Sequence, residues 1–329
     1  MKAAILETTN RDKGYINLDK ILELPPIASF EELVEALKNN KKVSIESLNN
    51  SNGNMQLVFS FKYNEIEYFY KYDCPREPFR VSPYNEVLAC EIADDLFIPH
   101  VNYDLASVCG FKGLISKDFR QNDVQYISGE EFLINNHPLG KKDKISNLNN
   151  LEDIWIALEE HYDRNPDYQN IVSKVMQKIV NMFIFDILTG QVDRDATNWW
   201  LIEYPNGTLD LNSLFDNIRI LILHHRLAPE RYPSVSKLLL TVNRDIVRYF
   251  EDNLEEFLKF SENDFSQNLS NSLWAISEEN IQKIFTRIGE KTEYPMSDEL
   301  KQFYLKEFGS QLNFITETYD KTISSKHKL

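Results

Sequence analysis

A long apolar segment that ends at a short acidic loop constrains the fold of this chain more than any other feature. Between residues 171 and 190, apolar side chains recur at steps of three and four residues, as on a helix buried over most of its surface. The apolar positions are Ile171, Val172, Val175, Met176, Ile179, Val180, Phe183, Ile184, Ile187 and Leu188. Gly190 is a suitable C-cap, so the sequence predicts a buried helix that stops where the loop begins.

The loop that follows carries Asp193 and Asn198, with four residues between them. This is the spacing with which a kinase catalytic loop places a base beside a metal ligand. Residues 199–204 are typical of a strand, residues 205–207 of a turn, and residues 208–215 of a returning strand.

A hairpin folded about Asn206 would bring residue 214 opposite Asn198 and leave Asp216 at the same open end. Carboxylate and amide oxygens are suitable ligands for Mg²⁺. The segment therefore indicates a metal site formed by Asn198 and Asp216 next to Asp193. Taken alone, it fits a solvated acidic loop equally well.

The N-terminal half predicts strands at residues 42–47, 55–63 and 66–72, with a polar loop at residues 48–54. Lys71 ends the third strand. A helix begins near Ser82 and Pro83 and carries Glu86 in its first turn. Strand, loop, two strands with a lysine, and a helix with a glutamate is the order in which a kinase small lobe binds phosphates.

With these motifs in this order, the chain resembles the HipA-like kinases, and within them the short stand-alone type related to cell-translocating kinase A. The matching stretches are residues 85–99, 113–119, 127–130, 185–194, 198–199 and 214–217. The resemblance extends over about residues 40–220 and implies an α+β, two-lobed protein-kinase-like fold. It predicts a small antiparallel-sheet N-lobe, a mainly helical C-lobe and ATP-dependent phosphorylation of Ser or Thr hydroxyls.

The same resemblance implies a role for each candidate residue, with ATP and Mg²⁺ as cofactors. Lys71 would bind the phosphates and Glu86 would orient Lys71. Asp193 would be the catalytic base, and Asn198 and Asp216 the Mg²⁺ ligands. The remaining ATP contacts would come from the phosphate loop Ser51, Asn52 and Gly53 and from the hinge Ser116, Lys117, Asp118 and Phe119.

The chain departs from the family pattern at Gln191, Asp195 and Ile218, and its phosphate loop holds one glycine. None of these changes removes a group expected to contact phosphate or metal. Two alternatives stay open beside an active protein kinase. One is a nucleotide-binding pseudokinase that acts through partner association, and the other is a lipid or small-molecule kinase. The resemblance also suggests autophosphorylation at Ser47 or Ser51, which would repel ATP through added negative charge.

The amino-acid composition limits the kinds of partner and the cellular compartment expected for this chain. The formal net charge of -15 argues against broad nucleic-acid binding, which needs basic surface, and favours basic or neutral partners. Cys74, Cys90 and Cys109 are scattered without CxxC spacing, which predicts a reducing compartment and no structural zinc. No signal peptide or membrane span is expected, so the prediction is a cytoplasmic protein, with signal-independent export left open.

The predicted domains are an N-terminal extension at residues 1–40, an N-lobe at 41–115, and a hinge with a helical C-lobe at 116–329. Further helices are expected at residues 29–39, 151–161, 242–260, 278–288 and 297–318.

Overall fold

The structure is a computed structural model that describes residues 16–51, 54–74, 83–140, 151–191, 194, 196–215, 272–291 and 296–326. The described residues fall into two compact units. The first unit contains those of the ranges 1–91, 101–120 and 282–302, and the second those of 92–100, 121–281 and 303–329. Each unit therefore draws on separate stretches of the chain.

A six-stranded sheet forms the framework of the first unit. Its strands are β1 (Ile16–Asn17), β2 (Val43–Ser51), β3 (Asn54–Tyr63), β4 (Ile66–Cys74), β5 (Asp104–Val108) and β6 (Phe111–Lys117), in the order β1-β5-β6-β4-β3-β2. Strands β2 to β6 pair antiparallel, as predicted, whereas β1 pairs parallel with β5. The sheet is therefore mixed, because residues before the predicted N-lobe add a sixth strand.

Tight turns set the register of this sheet. Asn64 and Glu65 have φ angles of 49° and 64° and join β3 to β4. Two central residues with positive φ match the right-handed twist of the flanking strands. The polar loop predicted at residues 48–54 is wrong in its extent. β2 continues to Ser51 and pairs with β3 up to Asn54, which leaves residues 52 and 53, outside the described residues, between the two strands.

The core of the first unit lies on the aromatic face of the sheet. Its fully buried members include Leu57, Phe59 and Tyr70. Helices α1 (Asp19–Leu22) and α2 (Phe30–Lys38) complete this core with the buried side chains Leu18, Leu22, Phe30, Leu33, Val34 and Leu37. The predicted helix at residues 29–39 is confirmed, and Ser29 caps it by accepting a hydrogen bond from the Glu32 amide. The segment predicted as an extension thus contributes to the core of this unit.

Helix α3 (Pro83–Asp95) confirms the predicted helix after Pro83. Its Glu91 is almost fully buried and forms ion pairs with Arg287 and Lys291, which lie near the other end of the chain. The Arg287 Nε to Glu91 Oε2 distance is 2.6 Å. A distant helical segment therefore packs against α3 within the first unit.

The second unit combines a three-stranded antiparallel sheet with helices. Strands β7 (Gln125–Ser128), β8 (Trp200–Glu203) and β9 (Leu209–Leu211) are in the order β7-β8-β9. The longer helices described in the rest of the chain are α4 (Gly129–Asn136), α5 (Leu151–His161), α6 (Gln169–Thr189), α7 (Glu278–Lys291) and α8 (Asp298–Lys326). Helix α7 begins in this unit and ends in the first.

These elements confirm most of the predicted helices. Helix α6 has the predicted apolar surface, with Ile179 and Leu188 fully buried. The helix predicted at residues 242–260 lies outside the described residues. Within the described part of the chain, no helix has the length and apolar character needed to cross a membrane.

Candidate active site

Lys71 lies in the middle of the six-stranded sheet. It pairs with Val58 of β3 on one side and with Leu114 of β6 on the other. Its side chain is half-buried. Gly113 has no room for a side chain, because a Cβ there would lie 2.4 Å from the Lys71 carbonyl oxygen. Two hydrogen-bonded neighbours and this close approach determine the position of the Lys71 main chain.

Glu86 is fully buried in the first turn of α3. Burial of a carboxylate costs several kcal/mol of hydration unless a cation or hydrogen-bond donors compensate. Glu86 and Lys71 both belong to the first unit. Their predicted pairing stays a prediction.

The predicted hinge begins as a strand. Ser116 and Lys117 are the last residues of β6 and pair with β4. The Asp118 amide then donates a 2.9 Å hydrogen bond to the Glu67 carbonyl, which extends this pairing by one residue. Phe119 follows and is exposed.

Arg120 fixes the end of this segment. Its guanidinium donates from Nε and Nη2 to the Asp118 carboxylate at 2.9 Å each, and it lies 5.1 Å from the centre of the Phe69 ring. Burial raises the pKa of Asp118, but the hydrogen bonds and charge of Arg120 outweigh it, so the net shift is downward. Asp118 is therefore an anionic anchor for the chain that leaves β6.

The phosphate-loop residues are only partly described. Ser51 is the last residue of β2, whereas Asn52 and Gly53 lie outside the described residues. The structure describes the strands on either side of these two residues, with Ser51 of β2 paired with Asn54 of β3.

The acidic loop starts from a well-defined helix end. Gly190 has a φ of 63°, a left-handed conformation that suits glycine, and its amide bonds to carbonyls of the last turn of α6. The Gln191 amide donates to the Asp186 carbonyl at 2.9 Å. The side chain of Gln311, from α8, donates to the Ile187 carbonyl. The Asp186 and Ile187 carbonyls in the last turn of α6 are thus satisfied, and the predicted C-cap is confirmed.

Of the three residues predicted on the acidic loop and its hairpin, only Asn198 is described, and Asp193 and Asp216 lie outside the described residues. Asn198 is half-buried. No cluster of three or more His, Cys, Asp or Glu side chains suited to a metal occurs among the described residues. Arg194 and Phe215 are described, and they are the sequence neighbours of Asp193 and Asp216.

Arg194 joins these segments. Its Nη1 atom donates to the main-chain carbonyls of Asn198 and Phe215, both at 3.0 Å. Its other nitrogens bind the buried carboxylate of Asp186 on α6. The main chain at Asn198 and the residue before Asp216 therefore meet at one guanidinium. The Mg²⁺ site predicted from Asn198 and Asp216 stays a prediction, because Asp216 lies outside the described residues.

A second anchor comes from the N-terminus of α4. The Gly129 amide donates to the Trp199 carbonyl at 2.8 Å, and the Glu130 amide donates to the Ala196 carbonyl at 2.7 Å. Amides in the first turn of a helix have no partner within the helix, so they are free to hold a loop. A Cβ on Gly129 would lie 2.3 Å from the buried Trp199 ring, so the site requires glycine.

The hairpin has the predicted register but a shorter return. Leu201 pairs with Leu211, and Glu203 pairs with Leu209, which is the register of a turn centred on Asn206. The returning strand predicted at residues 208–215 is wrong beyond Leu211. The chain there turns to a different partner, because the Leu214 amide donates to the Pro99 carbonyl at 2.9 Å.

Asp186, Arg194 and Gly129 are not among the predicted site residues. Asp186 lies between Phe185 and Ile187 on an apolar helix, and a carboxylate in that position needs a cation nearby. Arg194, eight residues further along the chain, is a cation that can meet this need. Gly129 stood in a matching stretch, but its contact with Trp199 depends on the tertiary fold.

The strand topology and the two units define an α+β, two-lobed, protein-kinase-like fold, and the comparison with solved structures supports it. The chain is similar to the Helicobacter pylori proinflammatory kinase CtkA, with a TM-score of 0.51 and 18% identity over 85% of this chain and 97% of that one. It is also similar to a chain of the Shewanella oneidensis MR-1 toxin–antitoxin complex of HipA, HipB and operator DNA. That match has a TM-score of 0.52 and 12% identity over 90% of this chain and 72% of the other.

These similarities confirm the resemblance to HipA-like kinases at the level of the fold. No protein-family model and no curated protein matches the sequence.

Proposed function

We propose that this chain is an ATP- and Mg²⁺-dependent kinase that transfers the γ-phosphate to a Ser or Thr hydroxyl of a protein. The observation that carries the proposal is the meeting of the Asn198 and Phe215 carbonyls at Arg194 in a kinase-like fold. It brings the loop after α6 to the segment that leads into Asp216. The sequence also retains Asp193, Asn198 and Asp216 together, and a nucleotide-binding module without transfer has no need for a base and two metal ligands.

In the proposed reaction, Asp193 accepts the proton of the acceptor hydroxyl as its oxygen bonds to the γ-phosphorus. The bond between that phosphorus and the β–γ bridging oxygen breaks, and ADP leaves. Lys71 stabilises charge on the phosphates and Glu86 orients Lys71. Asn198 and Asp216 would hold Mg²⁺, which would supply positive charge to offset the negative charge that develops on the phosphate oxygens. The main chain at residues 116–119 contacts adenine, and residues 51–53 cover the phosphates.

Charge and chain position refine the substrate. The net charge of -15 favours basic or neutral protein substrates. For self-phosphorylation, Ser51 is a better acceptor than Ser47. Ser47 is paired with Val58 inside the sheet and would have to leave it, whereas Ser51 is the last residue of β2.

The test is incubation of the purified chain with Mg²⁺ and labelled ATP, followed by mass spectrometry of phosphosites. Asp193→Ala should lower transfer by roughly 10²-fold or more, the usual size of a general-base effect, while ATP binding is retained. Asp167→Ala is the matched control, since Asp167 is an exposed aspartate of the second unit.

The outcomes separate the alternatives. ATP binding without turnover in the wild-type chain would refute the kinase and favour a pseudokinase. Turnover with phosphate on an added lipid or small alcohol and none on protein would refute the protein substrate. Transfer by Asp193→Ala at the wild-type rate would remove Asp193 from its role.

Binding measurements test the metal ligands. Asp216→Asn should weaken Mg²⁺–ATP binding much more than binding of metal-free ATP, because the carboxylate contacts the complex through Mg²⁺. Equal weakening of both, measured by calorimetry, would show that Asp216 is not a ligand.

A further inference from the structure

The guanidinium of Arg194 donates hydrogen bonds to two kinds of acceptor, a side-chain carboxylate and main-chain carbonyls. Nε and Nη2 face the Asp186 carboxylate at 3.0 Å and 3.1 Å, while Nη1 faces the carbonyls of Asn198 and Phe215. Only 3% of the Arg194 side chain and 7% of the Asp186 side chain are exposed, so water contributes little to this arrangement. Two planar forks matched in this way hold the arginine in one orientation.

Asp186 gives Arg194 a rigid support. It lies in the last turn of α6, where its main-chain carbonyl accepts from the Gly190 and Gln191 amides. Burial raises the pKa of the Asp186 carboxyl, and the charge and hydrogen bonds of Arg194 oppose that shift. Burial removes hydration from both charged groups, and this cost offsets much of their attraction. A buried ion pair is therefore weak evidence of a stabilising role.

We infer that Arg194 is a positioning residue that couples the two Mg²⁺-binding segments. It acts through main-chain carbonyls, at Asn198 itself and at the residue before Asp216, and Asp186 orients it. This inference rests on the proposed function for the identity of the ligand, Mg²⁺–ATP. Partners that orient metal ligands typically contribute 10- to 100-fold to metal affinity, so loss of the Nη1 bonds should weaken Mg²⁺–ATP binding by about tenfold or more.

A purely stabilising ion pair is the competing explanation, and a double variant distinguishes the two. Arg194→Met leaves the Asp186 carboxylate buried without its cation and should lower Tm markedly. Asp186→Leu combined with Arg194→Met removes both charges and should recover most of that loss. The bonds to Asn198 and Phe215 stay absent in the double variant, so coupling should stay lost although stability returns.

Arg194→Lys provides a second route. Lysine keeps the positive charge beside Asp186 but lacks the planar fork that reaches a carboxylate and two carbonyls at once. It should stay close to the wild-type Tm and still show weaker coupling. Arg164→Met is the matched control, because Arg164 forms an exposed ion pair with Glu160 in the same unit.

Three measurements are needed on each full-length variant: Tm, hydrogen–deuterium exchange and calorimetric binding of ATP with and without Mg²⁺. The expected result is faster exchange at residues 196–200 and 212–215 in the double variant and in Arg194→Lys. Mg²⁺–ATP affinity should fall by about tenfold or more in both, while binding of metal-free ATP and exchange in β4 stay unchanged.

Wild-type exchange and wild-type Mg²⁺–ATP affinity in these two variants would overturn the inference and leave a stabilising pair. A wild-type chain that binds no Mg²⁺–ATP would overturn the proposed function instead. Because exchange is measured without nucleotide, faster exchange at both segments would then still support the main-chain coupling by Arg194.

Discussion

Lys71 and Asn198 are placed by different kinds of structure. Lys71 is on β4, between two strands that it pairs with directly. Asn198 is on a loop whose course depends on Arg194 and on the N-terminus of α4. The first position follows from a local hairpin pattern, and the second from contacts between elements distant in sequence.

The difference implies different sensitivities to mutation. A β-sheet distributes its hydrogen bonds over many main-chain groups. Replacing one side chain on a strand therefore changes the chemistry at that position more than the course of the main chain. A loop held by a few anchors loses its geometry when one of them is removed. Changes at Lys71 and Gly129 test this contrast, and changes around two buried glutamates, Glu91 and Glu307, test other contributions to stability. They are given in order of decreasing expected effect.

Lys71→Met combined with Glu86→Gln should reduce phosphoryl transfer by roughly 10²–10³-fold, as loss of one charged group at a phosphate does. Tm should stay nearly unchanged, because Glu86→Gln leaves no buried carboxylate without its predicted cation. Steady-state kinetics and calorimetric melting measure the two quantities. Lys62→Met, an exposed lysine of the neighbouring strand β3, is the control and should change neither. A large fall in Tm for this double variant would break the contrast, because the strand would then depend on the Lys71 side chain.

The ion pairs of Glu91 test whether the first unit also depends on contacts between residues that are far apart in sequence. Arg287→Met with Lys291→Met leaves a carboxylate that is 5% exposed without these cations and should cost about 3 kcal/mol of unfolding free energy. Adding Glu91→Gln to the pair should recover much of it. Denaturant unfolding of the three chains decides this, with Lys42→Met, from an exposed ion pair with Glu23, as control. Equal stability of the double variant and the wild type would show that α7 does not support α3.

Gly129→Ala tests the loop anchor directly. The added methyl group would meet the Trp199 ring at 2.3–2.6 Å, and overpacking of this kind costs about 1–3 kcal/mol. Transfer activity should fall as well, because Trp199 adjoins Asn198. Gly309→Ala is the control, since nothing lies near its added Cβ in α8 and alanine favours the helix. If both variants melt alike, the glycine is not required by the loop.

The smallest effect concerns Glu307 on α8, which is 2% exposed. Burial raises its pKa to about 7, with Lys306 opposing the shift. The folded state therefore favours the protonated acid, and stability falls as pH rises from the unfolded pKa towards 7. Glu307→Gln should match the wild type near pH 4 and exceed it by about 1–2 kcal/mol at pH 8. A constant difference across this range, measured by urea unfolding, would contradict the shift.

The parts of the molecule that sequence predicted well are those set by short-range patterns. The apolar period of α6, its glycine cap and the turn after Glu203 were sufficient to predict a helix, a loop and a hairpin with the correct register. The strand that carries Lys71 followed from a hairpin pattern rich in Phe and Tyr.

What sequence did not predict depends on partners far along the chain. Leu214 leaves the hairpin for Pro99, Arg194 reaches back to Asp186, and Gly129 packs on Trp199. No periodicity encodes these choices, because each requires the positions of two elements to be known first. The predicted roles of Asp193 and Asp216 stay predictions, since the structure does not describe those residues.

The ion pairs of Glu91 also have a consequence for the order of synthesis. Glu91 and its partners Arg287 and Lys291 are 196 and 200 positions apart in sequence. Domains generally fold as they emerge from the ribosome, N-terminal parts first. Here the cations that compensate Glu91 emerge only after the whole of the second unit's loop and hairpin has been made. A nascent chain therefore cannot complete the surroundings of α3, and the helix that carries Glu86 gains its full support only when translation has passed residue 291.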